Sequence, residues 1–320
     1  MYRPPFSISP DAVRYISEIS ALLERISMNS NFTERELLLR KANRVKTIHS
    51  SLAIEGNTLN EDEVKDIIDG KKVVAPLRQI LEIQNAVKVY DLFPQLNPLS
   101  EKDLFKAHKV MMEGLIKESG RYRSDSVGVF GDKGLLHLAP PPLRVPQLMS
   151  QLFEWLNEGE DHLLIKSCVF HYEFEFIHPF SDGNGRMGRL WQSLILSRLH
   201  PMFEFLPVEN LVHGSQEEYY ASIAASTKAG ESTPFIDFML GRITEALRQY
   251  VANKVTNKVT NKSGQKILDL LRHTPTLSSR ELAQRIGLSE SGVKRILARM
   301  KEEGLLERVG SNKAGRWIVK

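Results

Sequence analysis

The sequence predicts a mainly α-helical protein in two parts. A helical body over residues 1–250 carries one small β-hairpin, and a basic C-terminal domain combines three helices with two short strands. Three observations support this. Apolar residues recur at three-and-four spacing through most of residues 10–250, with capping residues at the segment ends. The stretch 122–142 breaks that period with strand-like runs around Gly131-Asp132-Lys133-Gly134. Charge also divides the chain: residues 251–320 hold 15 Lys and Arg against 6 Asp and Glu, net +9, leaving 28 against 33, net −5, for residues 1–250. A length of 320 residues suits two domains, and 42% hydrophobic content supplies a packed interior.

Taken in order, Thr33 with Glu36, Asn60 with Glu63 and Ser215 with Glu218 each have capping-box spacing. Gly56 and Gly70 follow helical runs as C-terminal stops. In the hairpin, Val127, Val129 and Phe130 lead into the turn, and Leu135, Leu136, His137 and Leu138 leave it. The prolines 140, 141 and 142 cannot donate to a central ladder, which makes this an exposed ribbon. The apolar run Leu163–Ile177 and the segment 187–196 read as helices on either side of a polar loop. Thr233-Pro234 supplies an N-cap and a first-turn proline.

Residues 253–262 repeat a Lys-Val-Thr-Asn unit with little to bury, which reads as a linker or a frayed helix end. Beyond it come helices at 264–272, 279–286 and 290–303 and strands at 305–309 and 316–319. The chain is accordingly divided into an N-terminal helical region (1–95), a core (96–250), a linker (251–262) and a C-terminal domain (263–320). That last domain resembles a winged helix-turn-helix. If its third helix buries Val293, Ile296, Leu297 and Met300, the outward face offers Ser289, Ser291, Lys294 and Arg295. With Lys313 and Arg316 of the wing, these are groups suited to phosphates and base edges, so the resemblance implies duplex DNA as a partner.

The single cysteine, Cys168, sits inside an apolar helix, which excludes a disulfide framework and fits a reducing compartment. Residues 1–10 lack an apolar core flanked by basic residues, and no stretch approaches the roughly 18 apolar residues of a membrane span. The expectation is a cytoplasmic protein with no membrane partner.

Chemistry concentrates in residues 178–189, His-Pro-Phe-Ser-Asp-Gly-Asn-Gly-Arg-Met-Gly-Arg. His178 can take a proton near neutral pH. Asp182 offers a hard oxygen suited to Mg²⁺. Gly183-Asn184-Gly185 can bring backbone N–H groups close to phosphate oxygens at a helix N-terminus. Arg186 and Arg189 supply forked donors for further phosphates. Pro179 fixes the chain's exit from the preceding helix, and Phe180 suits the core. Together these residues form a site for a polyphosphate.

The same stretch resembles the Fic family signature, His-Pro-Phe-x-Asp-Gly-Asn-Gly-Arg-x-x-Arg, at every signature position. Fic enzymes transfer AMP from ATP to a hydroxyl side chain of a protein, and the resemblance covers roughly residues 30–245. It implies His178 as general base and Asp182 as holder of Mg²⁺. It further implies Gly183, Asn184 and Gly185 as an anion hole, with a side-chain donor from Asn184, and Arg186, Gly188 and Arg189 at the nucleotide. Related Doc-type kinases carry lysine at the position of Gly185, so the glycine here implies AMP transfer rather than phosphate transfer. Ser51-Leu52-Ala53-Ile54-Glu55-Gly56 is similar to the family's inhibitory motif, which implies that Glu55, with Ser51, competes for Arg189. The hairpin resembles the family's flap, with Leu136 and His137 at the nucleotide, and Tyr219 and Tyr220 fall where relatives place groups near adenine.

The implied function is an autoinhibited protein adenylyltransferase that modifies Ser, Thr or Tyr of target proteins and of itself. Two alternatives remain: a bifunctional or mainly AMP-removing enzyme, with Glu55 activating water, and a DNA-binding regulator whose body senses nucleotide. Both kinds of domain often pair, which adds a homodimer to the expected partners.

Overall fold

The apolar run Leu163–Ile177 forms a helix buried on nearly all sides, the state expected of a helix that is hydrophobic around its whole circumference. Everything that positions the site is built around it. The computed structural model describes residues 2–28, 34–131, 134–204, 206, 208–302, 305–309 and 315–319. Side chains are described at all of these except 34–42, 129–131, 134–137, 252–262, 265 and 302.

The first compact unit is Met1–Leu247. It begins with α1 (Pro10–Met28), α2 (Glu34–Ile54), α3 (Glu61–Ile68), α4 (Leu77–Leu92) and α5 (Glu101–Met111). An antiparallel hairpin follows, β1 (Gly128–Gly131) and β2 (Gly134–Leu138), pairing Gly128 with Leu138 and Gly131 with Gly134 and carrying a bulge between Val129 and Phe130. Next come α6 (Val145–Glu158), α7 (Leu163–Ile177), α8 (Asn184–Leu199), α9 (Val208–His213), α10 (Gln216–Ala229) and α11 (Thr233–His273). α7 packs along α8 on one side and α6 on another, while α2 lies against α4, α8 and α9. Phe170, Phe174, Trp155 and Trp191 fill the centre.

Local chemistry accounts for several boundaries. Asn60 and Glu63 make the expected capping box: Glu63 N donates to Asn60 Oδ1 at 3.0 Å and Asn60 N to Glu63 Oε2 at 2.8 Å. Gly56 and Gly70 adopt φ of 87° and 77° where helices end, a conformation that costs glycine least. The cap expected at Ser215 is absent; its hydroxyl accepts from Arg242 Nη1 at 3.4 Å instead. The Thr33 cap lies outside the described residues. The Thr233 hydroxyl turns to Ser7, whose N–H donates to it at 2.8 Å.

The segments 1–95 and 96–250 are not separate bodies. Contacts such as Ser232 N to Pro5 O at 2.9 Å and Arg189 to Glu55 hold them in one unit. Cys168 is buried and free, and burial pushes its thiol up to about 12, so it packs rather than reacts. No helix among the described residues is long and apolar enough to cross a membrane.

The second unit is Arg248–Lys320. The expected linker 251–262 is helical in its backbone, as part of α11, so the polar repeat continues a helix instead of interrupting it. α12 (Ser279–Ile286), α13 (Glu290–Glu302), β3 (Leu306–Val309) and β4 (Arg316–Val319) follow, the two strands antiparallel. Val293, Ile296, Leu297 and Met300 are buried, as their spacing predicts, against Ile267, Leu271, Leu282 and Trp317.

Candidate active site

The polar loop joins two helices that pack side by side, and its shape depends on two backbone turns. His178 caps α7 in the left-handed region, φ 50° and ψ 61°, the one positive-φ non-glycine among the described residues. Such a conformation costs roughly 1–3 kcal/mol and persists only where the surroundings impose it. Here His178 N donates to Phe174 O at 2.9 Å, and Arg123 Nε donates to His178 O at 2.8 Å. At the far end Gly183, φ 84°, turns the chain into α8. The helix therefore starts at Asn184, earlier than expected, and Gly185 and Arg186 lie in its first turn, where unpaired N–H groups collect.

Phe180, fully buried, plugs the loop into the core, its ring stacked on His108 at 3.6 Å. Asn184 is 2% exposed and spends its carboxamide on the loop itself: Phe180 N donates to its Oδ1 at 2.9 Å and its Nδ2 donates to Phe180 O at 2.8 Å. One Nδ2 donor is thereby used within the loop. The residue therefore holds the loop's shape from inside.

Charge is arranged in two clusters. Asp182 is held by Arg186 Nη2 at 3.1 Å and by Arg78 Nη2 at 3.3 Å, leaving its side chain 37% exposed. Arg189, at 1% exposure, donates from Nη2 to Glu55 Oε1 at 2.7 Å and to Ser51 O at 3.1 Å. Burial works against the Glu55 carboxylate, but Arg189, Arg186 and His178 together hold it below the ordinary range. Burial likewise opposes the Arg189 charge, and Glu55 more than restores it. The Nε atoms of Arg186 and Arg189 are buried without a hydrogen-bond partner, an arrangement suited to an arriving anion. Gly185 makes the close approach to Glu55: a Cβ there would lie 2.4 Å from Glu55 Oε1 and 3.0 Å from Arg189 Nη1.

The structure brings His178, Asp182, Gly183, Gly185, Arg186, Arg189, Glu55 and Ser51 together. Tyr220, half-buried, is close enough for the Glu55 charge to add to burial in raising its phenol. Packing places two further residues. Tyr219 is buried in the core, its hydroxyl donating to His171 Nε2 at 3.0 Å, so it is not open to a ligand. At Gly188 a Cβ would lie 2.8 Å from Glu175 Oε1 and 3.1 Å from His171, so glycine here allows close packing against α7. Leu136 and His137 stand on β2, and their side chains lie outside the described residues. In the second unit Ser291, Lys294, Arg295 and Arg316 are exposed, Lys294 Nζ pairing with Glu290 at 2.7 Å; Lys313 lies outside the described residues.

Sequence reasoning missed the groups that hold the loop from outside. Arg123, 3% exposed, also donates to Asp125 O at 2.7 Å and Pro140 O at 2.5 Å, so it ties the loop to both feet of the hairpin. His108 Nδ1 accepts from Gly120 N at 2.9 Å, which places its proton on Nε2 to donate to Asp182 O at 3.0 Å. Tyr90 donates to buried Glu209 at 2.5 Å, and the Ser51 hydroxyl hydrogen-bonds the same phenol, which anchors the end of α2.

Burial pushes His108 down to about 4 and His171 to about 3. The unfolded chain binds protons near pH 6.5 that the folded protein refuses, so this stability is present above about pH 6.5 and lost as pH falls towards 4. For His108 the loss is on the order of 3 kcal/mol. Thermal unfolding followed between pH 7 and 4.5 is expected to show a falling midpoint; a flat profile contradicts the neutral, loop-holding assignment.

Comparison with known proteins fits this geometry. Residues 98–196 match the Fic/DOC family, and residues 260–307 match the winged helix-turn-helix DNA-binding family. Proteins named protein adenylyltransferase Fic are 29% identical over 218 residues in Nematostella vectensis and 26% over 259 residues in Culex quinquefasciatus. Those alignments take in 64% and 78% of this chain but 48% and 47% of the relatives, so the chain spans about half their length. Fic-1 of C. elegans shares the fold at 22% identity, with a TM-score of 0.62 over 77% of this chain and 74% of that one. A crystal structure of a Fic family protein from Desulfovibrio desulfuricans G20 is 41% identical, with a TM-score of 0.77 over 100% of this chain and 98% of that chain. With the complete signature carried on the same turn between two packed helices, and with a match of that extent, this chain belongs to the Fic family.

Proposed function

We propose that this chain is a protein adenylyltransferase that holds itself inhibited through Glu55. The observation that carries the reading is the Glu55–Arg189 pair at 2.7 Å: a carboxylate from the turn that ends α2 occupies a buried fork beside Gly185 and the first turn of α8. That is where the distal phosphates of a nucleotide would bind. The relatives named protein adenylyltransferase Fic support the transferase part of this reading.

In this reading ATP lies with its phosphates across the start of α8, contacted by backbone N–H groups from Gly183 to Gly185 and by Arg186 and Arg189. His178 Nε2 takes the proton of the incoming hydroxyl. The oxygen bonds to the α-phosphorus, the bond from that phosphorus to the bridging oxygen breaks, and pyrophosphate leaves with the electron pair. The products are an AMP-modified protein, pyrophosphate and a proton on His178 that returns to solvent. The hairpin would hold the target segment by strand addition, lining up its hydroxyl.

Mg²⁺ fits Asp182, because one partly exposed carboxylate in a loop otherwise filled with cations suits an ion completed by substrate phosphates. No group of three or more His, Cys, Asp or Glu that could hold a metal by itself occurs among the described residues. When bound, the ion would neutralise phosphate charge. Intact-mass analysis of lysate proteins incubated with the Glu55→Gly variant and ATP is expected to find proteins heavier by one AMP; no adduct on any protein, this chain included, sinks the reading.

The match of residues 260–307 to a DNA-binding family, together with the net +9 of residues 251–320, supports duplex DNA as a second ligand. Affinity should fall steeply with salt, and combined Lys294→Ala and Arg295→Ala should flatten the logarithmic slope by about one to two. Lys294 contributes less than Arg295, since Glu290 already pairs with it. A full-length protein that shows no retention on duplex DNA at low salt removes this ligand.

A further inference from the structure

Glu175 is a buried acid for which the reaction above has no use. It stands on α7 one turn before His178 and is 6% exposed. No lysine or arginine makes a salt bridge with it among the described residues, and its Oε1 has no hydrogen-bond partner. A buried carboxyl left this way is costly, so its retention calls for a reason.

Three contacts supply one. The left-handed turn at His178 folds the imidazole back over α7, so that Nδ1 lies 3.4 Å from Glu175 O and 3.9 Å from Glu175 Oε2. The carbonyl is an acceptor for an Nδ1 proton, which would leave Nε2 as the basic nitrogen. Glycine at 188 leaves room for the other carboxyl oxygen, since a Cβ there would come within 2.8 Å of Oε1 and push it aside. One carboxyl oxygen therefore lies beside the Nδ1 edge of the ring, and the other occupies the space left at Gly188.

We propose that Glu175 is a positioning residue for His178: its carboxyl holds the Nδ1 edge of the ring, keeps Nε2 turned to the incoming hydroxyl, and stabilises the imidazolium formed when Nε2 takes the proton. The inference deepens the adenylyltransferase reading and rests on it. Burial pushes the Glu175 carboxyl up to about 8, Arg189 pulls it down and Glu55 pushes it up again. Tyr219 and Tyr220 also feel its charge, and neutral His171 lies across Gly188.

The test uses full-length protein carrying Glu55→Gly, with and without Glu175→Gln. NMR titration of the His178 ring, assigned with His178→Ala, is expected to show a lower midpoint once the carboxyl is gone. kcat should fall roughly 10- to 100-fold, the range felt when a partner that orients an imidazole is removed. KM for ATP should stay within about twofold, because no phosphate is contacted. Gly188→Ala, which crowds Oε1 while keeping the carboxyl, should move the ring titration in the same direction, so the inference survives a poorly folding Gln variant. If neither variant moves the titration, Glu175 is a packing residue and the inference is wrong. If the Glu55→Gly parent transfers no AMP, the adenylyltransferase reading fails instead, while the titration still decides whether Glu175 holds the ring.

Discussion

Glu55→Gly is expected to raise AMP transfer by about 10- to 150-fold. The estimate comes from the charge-assisted bond to Arg189, worth roughly 1.5–3 kcal/mol when partly buried. The pair is asymmetric in a way that favours this outcome: Arg189 is 1% exposed and cannot leave, while Glu55 keeps 31% of its side chain in solvent. Glu55 blocks by position as well as by charge, because its Oε1 would sit 2.4 Å from a Cβ on Gly185, against the backbone that a phosphate would approach. Removing the carboxylate frees both the fork and that space. Rate and ATP affinity should therefore rise together, and equal rates with equal affinity in the two proteins contradict the inhibitory assignment. Ser51→Ala should have a smaller effect, since Arg189 uses the Ser51 carbonyl rather than its hydroxyl.

His178→Ala is expected to remove AMP transfer while leaving ATP affinity within about twofold. General bases of this kind contribute roughly 10²- to 10⁴-fold, and the imidazole holds no phosphate in the proposed arrangement. The substitution also places alanine at φ 50°, where His178 is already strained. His178→Asn, which tolerates that conformation better, is the cleaner variant and should be equally inactive. Arg186→Ala should weaken both steps, because Arg186 holds Asp182 as well as facing the anion. Loss of ATP binding in His178→Asn with activity to match would make the residue a ligand contact and not a base.

What could be read from the sequence tracks how the contacts are made. The catalytic loop was legible because its chemistry lies within twelve consecutive residues, so spacing alone placed a base, a carboxylate and two forks together. Glu55 lies 134 positions from Arg189, and only the resemblance of its motif connected them. The winged-helix core was legible from Val293, Ile296, Leu297 and Met300, whose spacing matches one helical face. Arg123 and His108 were not legible, since their partners are backbone groups such as His178 O, Pro140 O and Gly120 N, which leave no side-chain pattern to find. The resemblance puts Gly188 and Tyr219 at the nucleotide by position in a motif, which does not say which side of a helix each presents; here Gly188 packs against Glu175 and His171, and Tyr219 bonds His171. The repeat at 253–262 left a linker and a frayed helix end both open, because low apolar content argues against a core but does not prevent a helical backbone.

The central claim is that this site moves AMP, not phosphate, onto protein. Parallel reactions of the Glu55→Gly protein with ATP labelled at the α- or the γ-phosphorus test it most directly. The arrangement of His178, Gly185 and Arg189 predicts α-label on protein, γ-label released in pyrophosphate, and neither outcome in the Glu55→Gly, His178→Asn double variant. Label from the γ-phosphorus on protein, with ADP released, would contradict the account.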